Sequence, residues 1–162
     1  FIHGIPLYTV LIALLKDGEP VVGVIHNPPL RETAAAAAGL GCTFNGQRCT
    51  VSTRAEMSGA RVQVTDPADL MQRYPRFAGR LFESVKFCRT WGDGYGYLLV
   101  ASGRAEIMID PVLHPWDVAP LKVVVSEAGG RLTDFAGRSP KLAESAIASN
   151  EALHSRILQM LE

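Results

Sequence analysis

The chain has 162 residues, 48% hydrophobic and 20% charged, with Lys+Arg and Asp+Glu equal at 16 each and a formal net charge of zero. That length can bury roughly 70% of its extended surface, as one domain or two small lobes, and the charge balance excludes a basic nucleic-acid surface and an acidic-membrane binder. Three cysteines without a CxxC spacing exclude a disulfide framework and a zinc site, and fit a reducing cytoplasm. No stretch reaches the ~18 unbroken apolar residues of a membrane helix. The apolar start lacks a basic region and is interrupted by Gly4 and Pro6, so it is no signal peptide. With no initiating Met, the chain is expected to begin inside a structural element, with residues missing upstream.

In chain order, residues 7–15 form a strand, KDGEP a turn centred on Asp17-Gly18, and VVGVIHNPP a second strand stopped by Pro28 and Pro29, together a hairpin. The run ETAAAAAGLG has helical propensity. It is short and fenced by prolines and glycines, so a strand is expected. FNGQRCTVS reads as an Asn-Gly turn into another strand. From Arg61 the rhythm changes. RVQVT is a strand; DPADLMQRYPRFAGRL is one helix with Asp66 as N-cap and Pro67 at its first position. SVKFCRT is a strand that places Cys88 in the core. GDGYGYLLVASGR is a helix ended by Gly103, and AEIMID a strand. DVAPLKVVVSEAGG is a helix capped by Asp117, with Pro120 at its third position and two glycines at its stop. RLTDF and SAIAS are strands, and Asn150 caps a last helix with Leu153, Ile157, Leu158 and Leu161 on one face. Strands alternating with helices predict an α/β layered lobe with a largely parallel sheet over residues 59–162. Residues 1–58 read as a remnant of an antiparallel-sheet lobe.

Two acids stand out. Asp117 is either a helix cap or a cation ligand beside an anion at the helix N-terminus; alone it is too few donors for Mg²⁺. Asp110 ends a strand seven residues earlier, on the rim where open α/β sheets collect ligands, or else opens a turn with Pro111. Gly92, Asp93 and Gly94 could let backbone approach a ligand, though glycines before a helix often serve packing alone. Arg89 is an anion partner or a solvated surface charge. The histidines, His3, His26, His114 and His154, share no ligand spacing and read as structural or exposed.

WDVAPLKVVVSEAGGRLTD resembles the C-terminal signature of the inositol monophosphatase superfamily, WD-x-A, a helix and E-A-G-G. GIPLYTVLIALLKDGEPVVGVIHNPPLRETAAAAAGLGCTFNGQRCTVS resembles the segment after that family's first metal motif. TWGDGYGYLLVASGRAEIMIDPVLHPWD is most similar to the histidinol-phosphate phosphatase branch. The resemblance covers the whole chain. It implies a layered α/β/α/β/α sandwich of the sugar-phosphatase type, here without its N-terminal part, and confirms the alanine run as a strand. It further implies a cytoplasmic, Mg²⁺-dependent phosphomonoesterase acting on a small phosphorylated metabolite. Histidinol phosphate, in histidine biosynthesis, is the first choice and inositol monophosphate the second. Asp117 is implied as a metal ligand, and Arg89, Gly92, Asp93, Gly94 and Asp110 as substrate contacts. A homodimer is implied, with no nucleic-acid or membrane partner. The family's other metal ligands precede the element matched by FIHGIP, so the chain alone is expected to be inactive. The competing expectation is a degenerate, non-enzymatic relative that binds a small anion or a partner protein.

Overall fold

The computed structural model describes residues 1–140 and 145–162. The first sheet is a meander of β1 (Val10–Lys16), β2 (Glu19–Asn27), β3 (Glu32–Ala37), β4 (Gly41–Phe44) and β5 (Gln47–Cys49), in that order and antiparallel throughout. Asp17-Gly18 and Asn45-Gly46 adopt positive φ at both residues, the backbone that matches a tight hairpin to strand twist. The alanine run is strand β3 between two partners, with Ala34 and Ala36 buried on one face. Inter-strand pairing and burial thus override alanine's helical propensity.

The second sheet has the order β7 (Phe87–Arg89), β6 (Arg61–Val64), β8 (Ile107–Asp110), β10 (Ala146–Asn150), β9 (Gly130–Thr133). It is parallel only across β7, β6 and β8; β10 runs antiparallel to both its neighbours. This corrects the expectation of a largely parallel sheet. The crossover through α4 (Pro115–Glu127) leaves β9 pointing the same way as β8, and β10, which follows β9, inserts between them in the opposite direction.

α3 (Asp93–Ala101) and α4 lie between the two sheets, in contact with both. Two-sided burial explains sequences that are apolar nearly all round: every residue of α3 from Gly94 to Ala101 is buried, as are Val118, Leu121, Val123, Val124 and Val125 of α4. The core between the sheets draws on Ile25, Ala34 and Cys42 as well as Leu98 and Val124, so it spans both sides of residue 58. On the far face of the second sheet, α1 (Pro67–Arg73), α2 (Pro75–Ser84) and α5 (Glu151–Gln159) enclose a second core containing Leu70, Phe77, Leu81, Leu153 and Ile157. Among the described residues the layers therefore run sheet, helix, sheet, helix, as in an α/β/α/β/α sandwich without its first layer.

Three local expectations need correction. The single helix over residues 66–81 is two, because Pro75 disfavours a helical Tyr74, which sits at φ −134°, ψ 59°. α4 starts at Pro115 with His114 as N-cap, so Asp117 is its third residue and Pro120 lies in the helix interior. Cys88 is only partly buried, beside the second core. Asp66 and Asn150 do cap as expected, accepting from Ala68 and Asp69 N–H and from Leu153 N–H.

The α4 position is set at two points. At Gly23 of β2, a Cβ would stand 2.3 Å from the Pro120 carbonyl oxygen, so only glycine admits the helix at that distance. At the C-terminus, the Glu127 carboxylate accepts from Gly39 N–H at 2.8 Å and Gly41 N–H at 2.6 Å. Both glycines hold positive φ in the β3–β4 turn. The E of the E-A-G-G signature is thus a staple between a helix end and the first sheet.

Candidate active site

Three carboxylates from three chain junctions meet at one cavity of about 680 Å³. Asp110 ends β8, Asp93 begins α3 and Asp117 lies in the first turn of α4. Gly94, Tyr8, Thr9, Leu11, His114 and Trp116 also line it, and among the described lining residues there is no lysine or arginine. β6 and β8 deliver their carboxyl ends to this rim, the position expected for ligands of a parallel segment.

Each acid has a distinct environment. Asp110 is buried, and burial pushes its carboxyl up to about 7, against hydrogen bonds from the Thr65 hydroxyl and the Val112 N–H and with the charge of Asp93 added. Asp93 is exposed at the mouth. The protein on one side still removes enough water, with Asp117's charge added, to push its carboxyl upward. Its φ of +50° is an uncommon conformation, tolerated best by Asn and Asp. The Thr65 hydroxyl accepts from Asp93 N–H at 3.2 Å. Asp117 accepts from His114 N–H at 3.3 Å, so its cap role is real and leaves carboxylate lone pairs for another partner. Beneath the acids, Tyr97 is fully buried with no hydrogen-bond partner for its hydroxyl among the described residues. Burial and then the charges of Asp110, Asp93 and Asp117 push that phenol well above its usual value.

The cavity unites Asp93, Gly94, Asp110 and Asp117, but neither Gly92 nor Arg89 is among its described lining residues. Gly92 packs on Thr65, where a Cβ would stand 2.5 Å from the threonine Cα, and Gly94 packs against Thr9 and Leu11. Arg89 ends the edge strand β7, with its guanidinium over the Phe87 ring and donating to the Cys88 carbonyl. The sequence reading missed His114, Trp116 and Tyr97. His114 and Trp116 stack at 4.8 Å on the wall, and Trp116 is 69% exposed. An exposed tryptophan one residue before Asp117 was the available signal. A second cavity of about 840 Å³ shares Val112, Leu113 and His114, and Asp134 is the one acid among its described lining residues.

Carboxylate oxygens suit a hard divalent cation, and a cation here would offset the mutual repulsion that adds to burial in raising Asp93 and Asp110. The donors fit in kind but not in number. Among the described residues no three His, Cys, Asp or Glu side chains are grouped to hold a metal. Also among the described residues, no helix is long and apolar enough to cross a membrane.

Comparison with known proteins agrees with this architecture. A histidinol-phosphatase from Chlorobaculum parvum is 39% identical over 98% of this chain and 62% of its own length. A histidinol-phosphatase from Mycobacterium tuberculosis is 38% identical over 99% of this chain and 64% of its own length. The chain therefore spans less than two thirds of these curated relatives. The crystal structure of the extragenic suppressor protein SuhB from Bartonella henselae superposes with a TM-score of 0.92 at 30% identity, covering 99% of this chain and 64% of that one. The model of the inositol monophosphatase family matches residues 1–162, and the chain belongs to that family.

Proposed function

We propose that these residues form the substrate-reading and part of the metal-holding side of a Mg²⁺-dependent phosphomonoesterase that hydrolyses histidinol phosphate. The observation that carries the reading is the convergence of Asp93, Asp110 and Asp117 on one cavity with no lysine or arginine among its described lining residues. Asp117 would hold Mg²⁺, which when bound supplies an activated water and neutralises phosphoryl charge. The remaining donors come from outside the described residues. The open N-terminal end of α4 favours the phosphate. Asp93 and Asp110 face the alcohol portion of the ester, where histidinol carries an amine and an imidazole. A charge-assisted hydrogen bond there is roughly twice as strong as a neutral one. The identities to two histidinol-phosphatases support this substrate; the family's name supports inositol monophosphate as the second reading.

The test uses the full-length protein with both esters. Asp117→Asn should lower kcat/KM on both by on the order of 10²-fold or more, about 2.7 kcal/mol, without unfolding, because asparagine keeps a side-chain acceptor. Asp93→Asn should raise KM for histidinol phosphate about tenfold, ~1.4 kcal/mol, and change the inositol ester much less. Normal turnover by Asp117→Asn overturns the metal role. Equal losses from Asp93→Asn on both esters overturn the cation-reading role, and no turnover by the wild type favours the binding-protein alternative.

A further inference from the structure

Two of the three cysteines stand opposite each other on the first sheet. Cys42 of β4 and Cys49 of β5 are register partners across the Asn45-Gly46 hairpin. Their sulfurs are 3.5 Å apart, with the Cys49 thiol donating to Cys42 Sγ. Directly opposed antiparallel residues have Cα atoms ~4.5–5.5 Å apart, inside the window of ~4.4–6.8 Å that a disulfide spans. Closing the sulfurs to bonding distance of ~2.05 Å needs only small side-chain rotations on a backbone already in place. Cys88 belongs to the edge of the other sheet, its thiol turned to the Arg89 carbonyl at 3.9 Å.

We propose that Cys42 and Cys49 form a dithiol site that a low-molecular-weight disulfide such as oxidised glutathione converts reversibly to an intramolecular disulfide. Cys49 is partly exposed and Cys42 is buried, so Cys49 is the entry thiol. Its thiolate attacks one sulfur of the oxidant, the oxidant's S–S bond breaks, and one glutathione leaves as thiolate and takes up a proton. Cys42 then gives its proton to solvent and attacks Cys49 Sγ, expelling the second glutathione. Two protein thiols are oxidised by two electrons and one glutathione disulfide is reduced to two thiols, which closes the balance. Burial pushes both thiols up, Cys42 to about 12 with the charge of Cys49 and then of Glu127 adding to it. Few thiolates form at neutral pH, so exchange is slow and the pair survives as free thiols under reducing conditions. The bond would lock the hairpin whose Gly41 is held by Glu127. The oxidised form should therefore be the more heat-resistant one.

The experiment incubates reduced, folded protein with oxidised glutathione at pH 8.5 and digests it with trypsin without reduction. Trypsin cuts after Arg31, Arg48 and Arg54, so the disulfide joins ETAAAAAGLGCTFNGQR to CTVSTR. The expected result is that linked pair, the loss of two titratable thiols, a higher melting temperature, and full reversal by dithiothreitol. Cys88→Ser should still give the linked pair and Cys49→Ser should not. No loss of titratable thiols in the wild type overturns the proposal. So does a glutathione adduct on Cys49 that Cys42 never resolves, or a product dominated by intermolecular links through Cys88.

Discussion

Replacing Glu127 by glutamine tests whether the α4 staple holds the layers together. The two carboxylate oxygens accept separately, Oε1 from Gly39 N–H and Oε2 from Gly41 N–H. Glutamine has one acceptor oxygen, and its amide would present N–H to N–H at the other contact. One charge-assisted bond is lost and one glycine amide is left without its partner. Hydrogen bonds to charged groups contribute ~1.5–3 kcal/mol when sheltered. Glu127 is only partly buried, so solvent competition brings the expected loss to ~1–2 kcal/mol. For a chain of this size each kcal/mol moves Tm by ~2–4 °C. Glu127→Gln should then melt about 2–8 °C below wild type, and its urea midpoint should fall with an unchanged slope. A variant within ~0.5 kcal/mol of wild type would mean that water replaces the staple at no cost and that packing alone positions α4.

Two further tests probe packing and protonation. Gly23→Ala puts a methyl into the Pro120 carbonyl and should cost at least ~1–3 kcal/mol in urea unfolding. Gly79→Ala in α2, where a Cβ meets nothing, should gain ~0.4–1 kcal/mol; the opposite order would refute the close-approach argument. His154 is buried between the Ser149 hydroxyl at Nδ1, 2.7 Å, and the Thr133 hydroxyl at Nε2, 3.0 Å. Ser149 also donates to the Asn150 carbonyl, so the neutral ring carries its proton on Nδ1. Burial, with the charge of Arg131, lowers its value to about 4. Its contribution is full above ~6.5, the unfolded value, and is lost as pH falls toward 4, on the order of 3 kcal/mol. Asp110, raised to about 7, works in the opposite sense between 3.8 and 7. The reading is therefore the difference between wild type and His154→Gln in urea midpoints from pH 7 to 4.5, and a gap that does not narrow toward acid refutes it.

Local chemistry made most of the elements legible. Asp17-Gly18 and Asn45-Gly46 announced their hairpins because few residues tolerate positive φ. Pro28 and Pro29 ended β2, and Asp66 and Asn150 declared their helices through side-chain acceptors. The break at Tyr74 was also written in the sequence, in the proline that follows it. The reversed direction of β10 was not, since its insertion between β8 and β9 depends on how the chain returns in space. In the site, Asp110 and Asp117 were readable as a rim from strand and helix ends. Arg89 ends a three-residue edge strand and lies over Phe87, a placement that its sequence neighbours do not announce. Tyr97 was hidden in an apolar helix whose two-sided burial only the sheets reveal.

The position of Asp117 follows from α4 being held along its length, not at its N-terminus alone. Its first turn is fixed by Pro115 and by the His114–Asp117 contact. Its middle rests on β2 at Gly23, and its last turn is tied to the β3–β4 turn through Glu127. The first sheet, which gives the described cavity wall Leu11 of β1 next to Tyr8 and Thr9 just before that strand, therefore sets where a site acid stands. Asp110 and Asp93 depend instead on the second sheet, one at the end of β8 and the other tied to Thr65 just beyond β6. The cavity forms where helices referenced to different sheets meet. A backbone shift of either sheet changes the distances among the three carboxylates, and those distances govern what cation and what ester the cavity accepts.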